Sequence, residues 1–200
     1  IICIMAFTPF LGYIPLGFTR ATIIHIPVII ASLLMGPKKG GALGFLFGLT
    51  SFINNTINPS ATSFVFTPFY SLGEFSGGIG SVIICFIPRI LVGIVPYFVY
   101  KLVLRLSSET TKNRGVSNIG LVLAGISGAL VNTLLVMNLI YIFFGDAYIK
   151  ASEKAVSLGY MVILSIIGIN GVPEAIIAGI LTLCIGKVLL KKNVRERLGF

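Results

Sequence analysis

Residues Ile79–Tyr100 read IGSVIICFIPRILVGIVPYFVY, twenty-two residues with two prolines and a single charge, Arg89. A bilayer core about 30 Å thick is crossed by a helix of about 20 mostly apolar residues, so this stretch predicts a membrane-spanning helix. It has company. Apolar runs bounded by charge, Pro or Gly recur at 1–11, 22–35, 40–54 and 116–144, and a last one ends near Leu190. In that last run Asn170-Gly171-Val172-Pro173-Glu174 has the form of a helix start, a capping Asn followed by Pro and an acid in the first turn. A helix from there to Leu190 makes one crossing, and the stretch 146–169 becomes an external, partly helical element. The expected fold class is all-α integral membrane, with six transmembrane helices. The runs at 22–35 and 40–54 are short for full spans and are expected to tilt or extend into their flanks.

Composition supports this reading. The 200 residues are 56% hydrophobic and 10% charged, with a mean hydropathy of +1.03, whereas a soluble domain carries roughly 25% charged residues. A soluble enzyme is excluded. One membrane domain, 1–200, is expected. The sequence opens at Ile1 inside an apolar run with no basic segment before it, so the first helix is expected to be truncated at its N-terminus rather than to be a cleaved signal. Cys3, Cys85 and Cys184 lie apart in apolar runs with no C-x-x-C pair. Neither a disulfide framework, a metal site nor a cofactor is expected.

The net charge of +9 reads as topology. With both termini in the cytoplasm, Lys38, Lys39, Lys101, Arg105, Lys112, Arg114, Lys187, Lys191, Lys192, Arg195 and Arg197 all fall inside, and only Arg20, Lys150 and Lys154 fall outside. The segment 55–78 is then external. It holds no Lys or Arg but is rich in aromatics, Phe64, Phe66, Phe69, Tyr70 and Phe75. A loop this long is functional or disordered, and its aromatics argue for a lid over an outer mouth, with an interfacial aromatic belt as the plainer alternative.

Ionisable groups inside a span cost roughly 2.5–3.5 kcal/mol each. Arg89 and Glu174 are the strong cases, His25 a weaker one, and amides accompany them at Asn54, Asn55, Asn132, Asn138 and Asn170. Counting about 1.5 Å per residue from the basic ends puts Asn54 about 22 Å, Asn132 about 24 Å, Glu174 about 25 Å and Arg89 about 18 Å up their helices. Four helices therefore bring polar groups to the outer half of the membrane, as a single outward-opening solute site would. The plainer reading pairs Arg89 with Glu174 and leaves the amides to interhelical hydrogen bonds. Gly40, Gly44 and Gly48, with Gly125, Gly128 and Ala129, read as close-packing faces. Gly125-Ile126-Ser127-Gly128 matches an intramembrane protease string, but its base would have to be His25, the sole His, expected well outside hydrogen-bond reach. A self-sufficient channel or secondary transporter is less favoured, because neither an internal repeat nor a line of acids is present.

With these residues laid out, the chain resembles the substrate-binding S component of an energy-coupling factor (ECF) vitamin transporter. The matching stretches are Gly-Pro-Lys-Lys-Gly at 36–40 with the Gly-rich run to Phe52, Pro-Arg-Ile-Leu-Val-Gly at 88–93, Val-Asn-Thr-Leu-Leu at 131–135 and Asn-Gly-Val-Pro-Glu-Ala at 170–175. The resemblance implies a six-helix subunit with both termini inside. It would capture a vitamin from outside and dock on one transmembrane coupling protein and two ATPases in a bacterial plasma membrane, hydrolysing nothing itself. The family's Ala-x-x-x-Ala surface on the first helix is reduced here to Ala6, so the docking surface is unassigned. Ile53-Asn54-Asn55-Thr56 followed by Phe66-Thr67-Pro68-Phe69-Tyr70 looks most like the pantothenate-specific members, with hydroxymethylpyrimidine as the rival solute. The expected binding residues are Arg89, Asn54, Asn55, Asn132, Asn170, Glu174, Phe69 and Tyr70. The segments 55–78 and 12–21 are expected to open and close over them.

Overall fold

A computed structural model describes residues 2–8, 13–16, 19–107, 116–151 and 159–191. The cations Lys112, Arg114, Lys154, Lys192, Arg195 and Arg197, and Gly12 of the expected outer loop, lie outside the described residues. The described chain is mostly helical. In order it forms α1 (Ile2–Phe7), a hairpin of β1 (Tyr13–Leu16) and β2 (Thr19–Thr22), α2 (His25–Met35), α3 (Pro37–Ile57), a short 3₁₀ turn (Ser63–Val65) and a hairpin of β3 (Ser71–Leu72) and β4 (Phe75–Ser76). Then follow α4 (Ile79–Val92), α5 (Val95–Leu106), α6 (Asn118–Ala151), α7 (Tyr160–Ile166), a π turn (Ile167–Gly171) and α8 (Val172–Leu189).

Among the described residues three stretches are long and apolar enough to cross a membrane, Ile79–Leu106, Asn118–Lys150 and Tyr160–Leu189. Their outer faces carry Ile87, Phe98, Ile119, Ile142, Met161 and Ile180, all exposed, as a lipid-facing belt requires. The two short antiparallel hairpins depart from the all-α expectation. Both lie in connections between helices, where each satisfies its own backbone polar groups locally. Because Thr22 belongs to β2, α2 starts three residues later than its apolar run suggested. α3 extends its run at both ends instead, opening with Pro37 in its first turn, where a missing N–H costs nothing.

Prolines shape the long helices. The expected helix 79–100 breaks at Gly93 and Ile94, because Pro96 cannot donate to the carbonyl of Val92 and its ring crowds that turn. The helix start expected at Asn170 is not one. Helix runs from Tyr160 to Leu189 through a π turn at Ile167–Gly171, so Asn170 lies within helical backbone rather than ahead of a helix start. Pro173 explains both the sequence signal and the outcome: it is a first-turn residue of α8, and the wider π turn before it relieves the clash an α-helical Pro would make with the carbonyl four residues back. α6 runs past the expected end at 144 and turns at Phe144, whose φ of −139° and ψ of 22° leave the helical region.

The small-residue faces pack as read. Gly40, Gly44 and Gly48 of α3 lie against the backbone carbonyls of Gly93, Arg89 and Cys85 respectively. The two helices thus step past one another four residues at a time, backbone on backbone, and Cys85 Sγ adds a 3.3 Å bond to the carbonyl of Gly48. Gly125 meets the carbonyl of Ala178 in the same way, joining α6 to α8. α6 lies centrally, packing on α4, α5 and α8.

Candidate functional site

A cavity opens where α3, α4, α6 and α8 converge beneath the two hairpin-bearing segments. Its polar wall includes Ser51, Asn55, Ser60, Thr62, Arg89, Asn132, Thr133, Asn170, Glu174 and Thr22, and its apolar wall includes Val136, Met137, Ile140 and Ile166. Its free volume is about 100 Å³.

Local sequence aims Arg89. Pro88 has no N–H, so the carbonyl of Ile84, four residues back, loses its helical donor. The Arg89 side chain, directed toward the helix N-terminus as helical side chains are, supplies the missing donor: Nη1 bonds Ile84 O at 2.7 Å. Its guanidinium lies 5.2 Å from the ring centre of Phe66 and 5.7 Å from that of Phe47. The residue is buried, and Nε has no hydrogen-bond partner among the described residues. A buried cation with an unused donor is a place for an anion.

Glu174 stands on α8, half-buried. Its Oε1 accepts the backbone N–H of Thr22 at 2.9 Å and its Oε2 accepts the Thr133 hydroxyl at 3.3 Å. The carboxylate thereby ties the β1–β2 hairpin to α6 and α8. Among the described residues no ion pair joins it to Arg89, so the pairing considered from the sequence is not how either group is held. Asn132 contributes a buried Oδ1 without a hydrogen-bond partner among the described residues.

The remaining expected residues separate. Asn170 lines the cavity from the π turn. Asn55 also lines it, but its amide is engaged within the protein, donating to Ser51 O at 2.9 Å and accepting from Ser63 Oγ at 2.8 Å. Asn54 faces Asn58, whose Nδ2 bonds its Oδ1 at 3.1 Å, and is not on the cavity wall. Phe69 is 75% exposed and packs edge-on against Phe52. Tyr70 joins the cluster beneath the external segment rather than the wall. Asn138 is engaged by Leu134 O and Tyr160 Oη, and the Ser127 hydroxyl donates to Ala124 O of its own helix.

Sequence reading missed Thr133, Val136, Met137, Ile140, Tyr148 and Ile166. Helical spacing carried part of the signal, since 132, 136 and 140 share a face, as do 166, 170 and 174. Tyr148 follows the turn at Phe144 and was not reachable by counting along a straight helix.

The segment after α3 is a packed layer. Asn55 holds Ser63, Thr56 Oγ1 and Thr67 Oγ1 lie 2.7 Å apart, and Ser81 Oγ donates to Phe64 O at 2.7 Å. Phe64 and Val65 are fully buried with Tyr148, Ile149, Val162 and Ile163.

A sequence profile described as ECF transporter, substrate-specific component matches residues 1–186. The chain belongs to this family. It is 42% identical over 173 residues, 86% of this chain and 79% of the relative, to the "Pantothenic acid transporter PanT" of Lactococcus lactis subsp. cremoris. It is 31% identical to the "Pantothenate transporter PanT" of Leuconostoc mesenteroides subsp. mesenteroides, over all of this chain and 90% of that one. As a substrate-specific component it is a membrane transport protein and not an enzyme, and a solute cavity among its helices is what such a subunit requires.

Proposed function

We propose that this S component captures pantothenate from outside the cell and delivers it to an ATP-driven import complex of one transmembrane coupling protein and two ATPase subunits. Its six crossings would be the segment containing α1, then α2, α3, the α4–α5 pair, α6, and the α7–α8 helix, with both termini cytoplasmic. The single observation carrying the solute assignment is the buried guanidinium of Arg89 with its unpartnered Nε in a cavity that also has an apolar wall. Pantothenate has one carboxylate for Arg89, an amide and two hydroxyls for Asn132, Asn170 and Glu174, and a gem-dimethyl group for Val136, Met137 and Ile140. The names of the two relatives support the same solute.

Calorimetric titration of the purified chain in detergent tests this. Pantothenate is expected to bind tightly, and hydroxymethylpyrimidine, riboflavin and folate not to. Tight binding of hydroxymethylpyrimidine in place of pantothenate would reassign the site, and uptake by the chain without any ATPase partner would overturn the import-complex reading.

A further inference from the structure

We propose that Glu174 selects the uncharged, hydroxyl-bearing end of the solute and makes the site reject a solute carrying a second anion there. This rests on the pantothenate reading above and adds to it a polarity and an exclusion.

The cavity has two unlike walls. Arg89 on α4 is the cation among the described lining residues, set beside Phe66 and Phe47. Glu174 on α8 is the anion among them, set beside Thr133 and Thr22. No ion pair links the two, and α6, which packs on both helices, adds Val136, Met137 and Ile140 to the wall. A solute with one carboxylate is therefore bound in one direction, its anion at Arg89 and its other end at Glu174.

Each Glu174 oxygen accepts one hydrogen bond from the protein, Oε1 from the Thr22 N–H and Oε2 from the Thr133 hydroxyl. A carboxylate has about four acceptor positions and no donor of its own when ionised, so about two remain, and whatever faces them must donate. A hydroxyl does. A phosphate monoester on that hydroxyl removes the donor and sets an anion against the half-buried Glu174 carboxylate, and like-charge juxtaposition of this kind discriminates by about a hundredfold or more. The subunit would thus take the free vitamin and refuse its phosphorylated form.

The test is titration of the purified chain with pantothenate, with the phosphate monoester of its primary hydroxyl, and with the analogue lacking that hydroxyl. The wild type is expected to favour pantothenate over the phosphate monoester by at least about a hundredfold, and over the analogue lacking the hydroxyl by about tenfold or more. Glu174→Gln keeps an acceptor for Thr22 but loses the charge and gains a donor. It is expected to narrow the phosphate discrimination at least about tenfold, whereas Asn138→Ala, whose side chain is engaged outside the cavity, keeps it. Equal binding of the free and phosphorylated vitamin by the wild type overturns the proposal without needing any variant to fold, as does an unchanged ratio in Glu174→Gln. Absence of pantothenate binding overturns the solute reading and this proposal together, while pantothenate binding without discrimination overturns this proposal alone.

Discussion

Arg89 owes its direction to its neighbour. The carbonyl that Pro88 leaves without a donor is the one Nη1 takes, so the guanidinium is fixed before any solute arrives, and its rotamer entropy, about 2 kcal/mol for a free Arg, is already lost in the folded protein. Pro88→Ala restores the helical donor to Ile84 and releases the side chain. The helix is expected to gain thermal stability while solute affinity falls several-fold, read by melting and titration on the same preparation. Arg89→Ala is expected to lose about tenfold to a hundredfold in affinity for a carboxylate vitamin, the worth of a charge-assisted hydrogen bond. Asn138→Ala, whose side chain is engaged outside the cavity, should change it little. Equal, small losses from both would make Arg89 a structural residue. The Arg was legible in the sequence as a charge in an apolar run. Its contact with Ile84 was latent in the Pro-Arg pair but needed the helix geometry to be seen.

At the level of elements, the pair of helices α3 and α4 is held backbone to backbone, with Gly44 against the carbonyl of the residue that carries the guanidinium. A methyl group there has no space. Gly44→Ala is expected to cost about 1–3 kcal/mol by overpacking, visible as a lower unfolding temperature in detergent, and to weaken solute binding as well, because α4 must shift. The glycine spacing announced this contact in the sequence, since a four-residue period of small residues has few other uses in a bundle. The α8 region was harder to read. Asn, Pro and Glu in succession are the residues of a helix start, and here they run from a π turn into α8, an arrangement that admits a proline into a continuous helix. Thr22 was unreadable for a different reason. It reaches Glu174 through its backbone N–H, and a main-chain donor leaves no mark in residue type.

For the whole molecule, the proposed orientation makes a direct prediction. In a background with the three native cysteines replaced, Glu74→Cys is expected to react with a membrane-impermeant maleimide on intact cells, and Lys38→Cys only after permeabilisation. The reverse pattern would invert the topology. The helical, membrane-spanning character was legible at this scale because a bilayer imposes length and apolarity on every crossing, as in the three long apolar stretches among the described residues, whereas the connections answer to no such rule and their hairpins were not foreseen. Those connections have a thermal consequence. Phe64 sits at the heart of the outer cluster, stacked on Phe75 and edge-on to Phe144, so on the proposed route from outside, uncovering the cavity means peeling part of a hydrophobic core into water. Solute exchange would then resemble a small unfolding step, and the heat-capacity change on binding is expected to be more negative than the burial of the solute alone provides. Uptake should accordingly steepen with temperature, as local unfolding of this outer layer comes to limit entry.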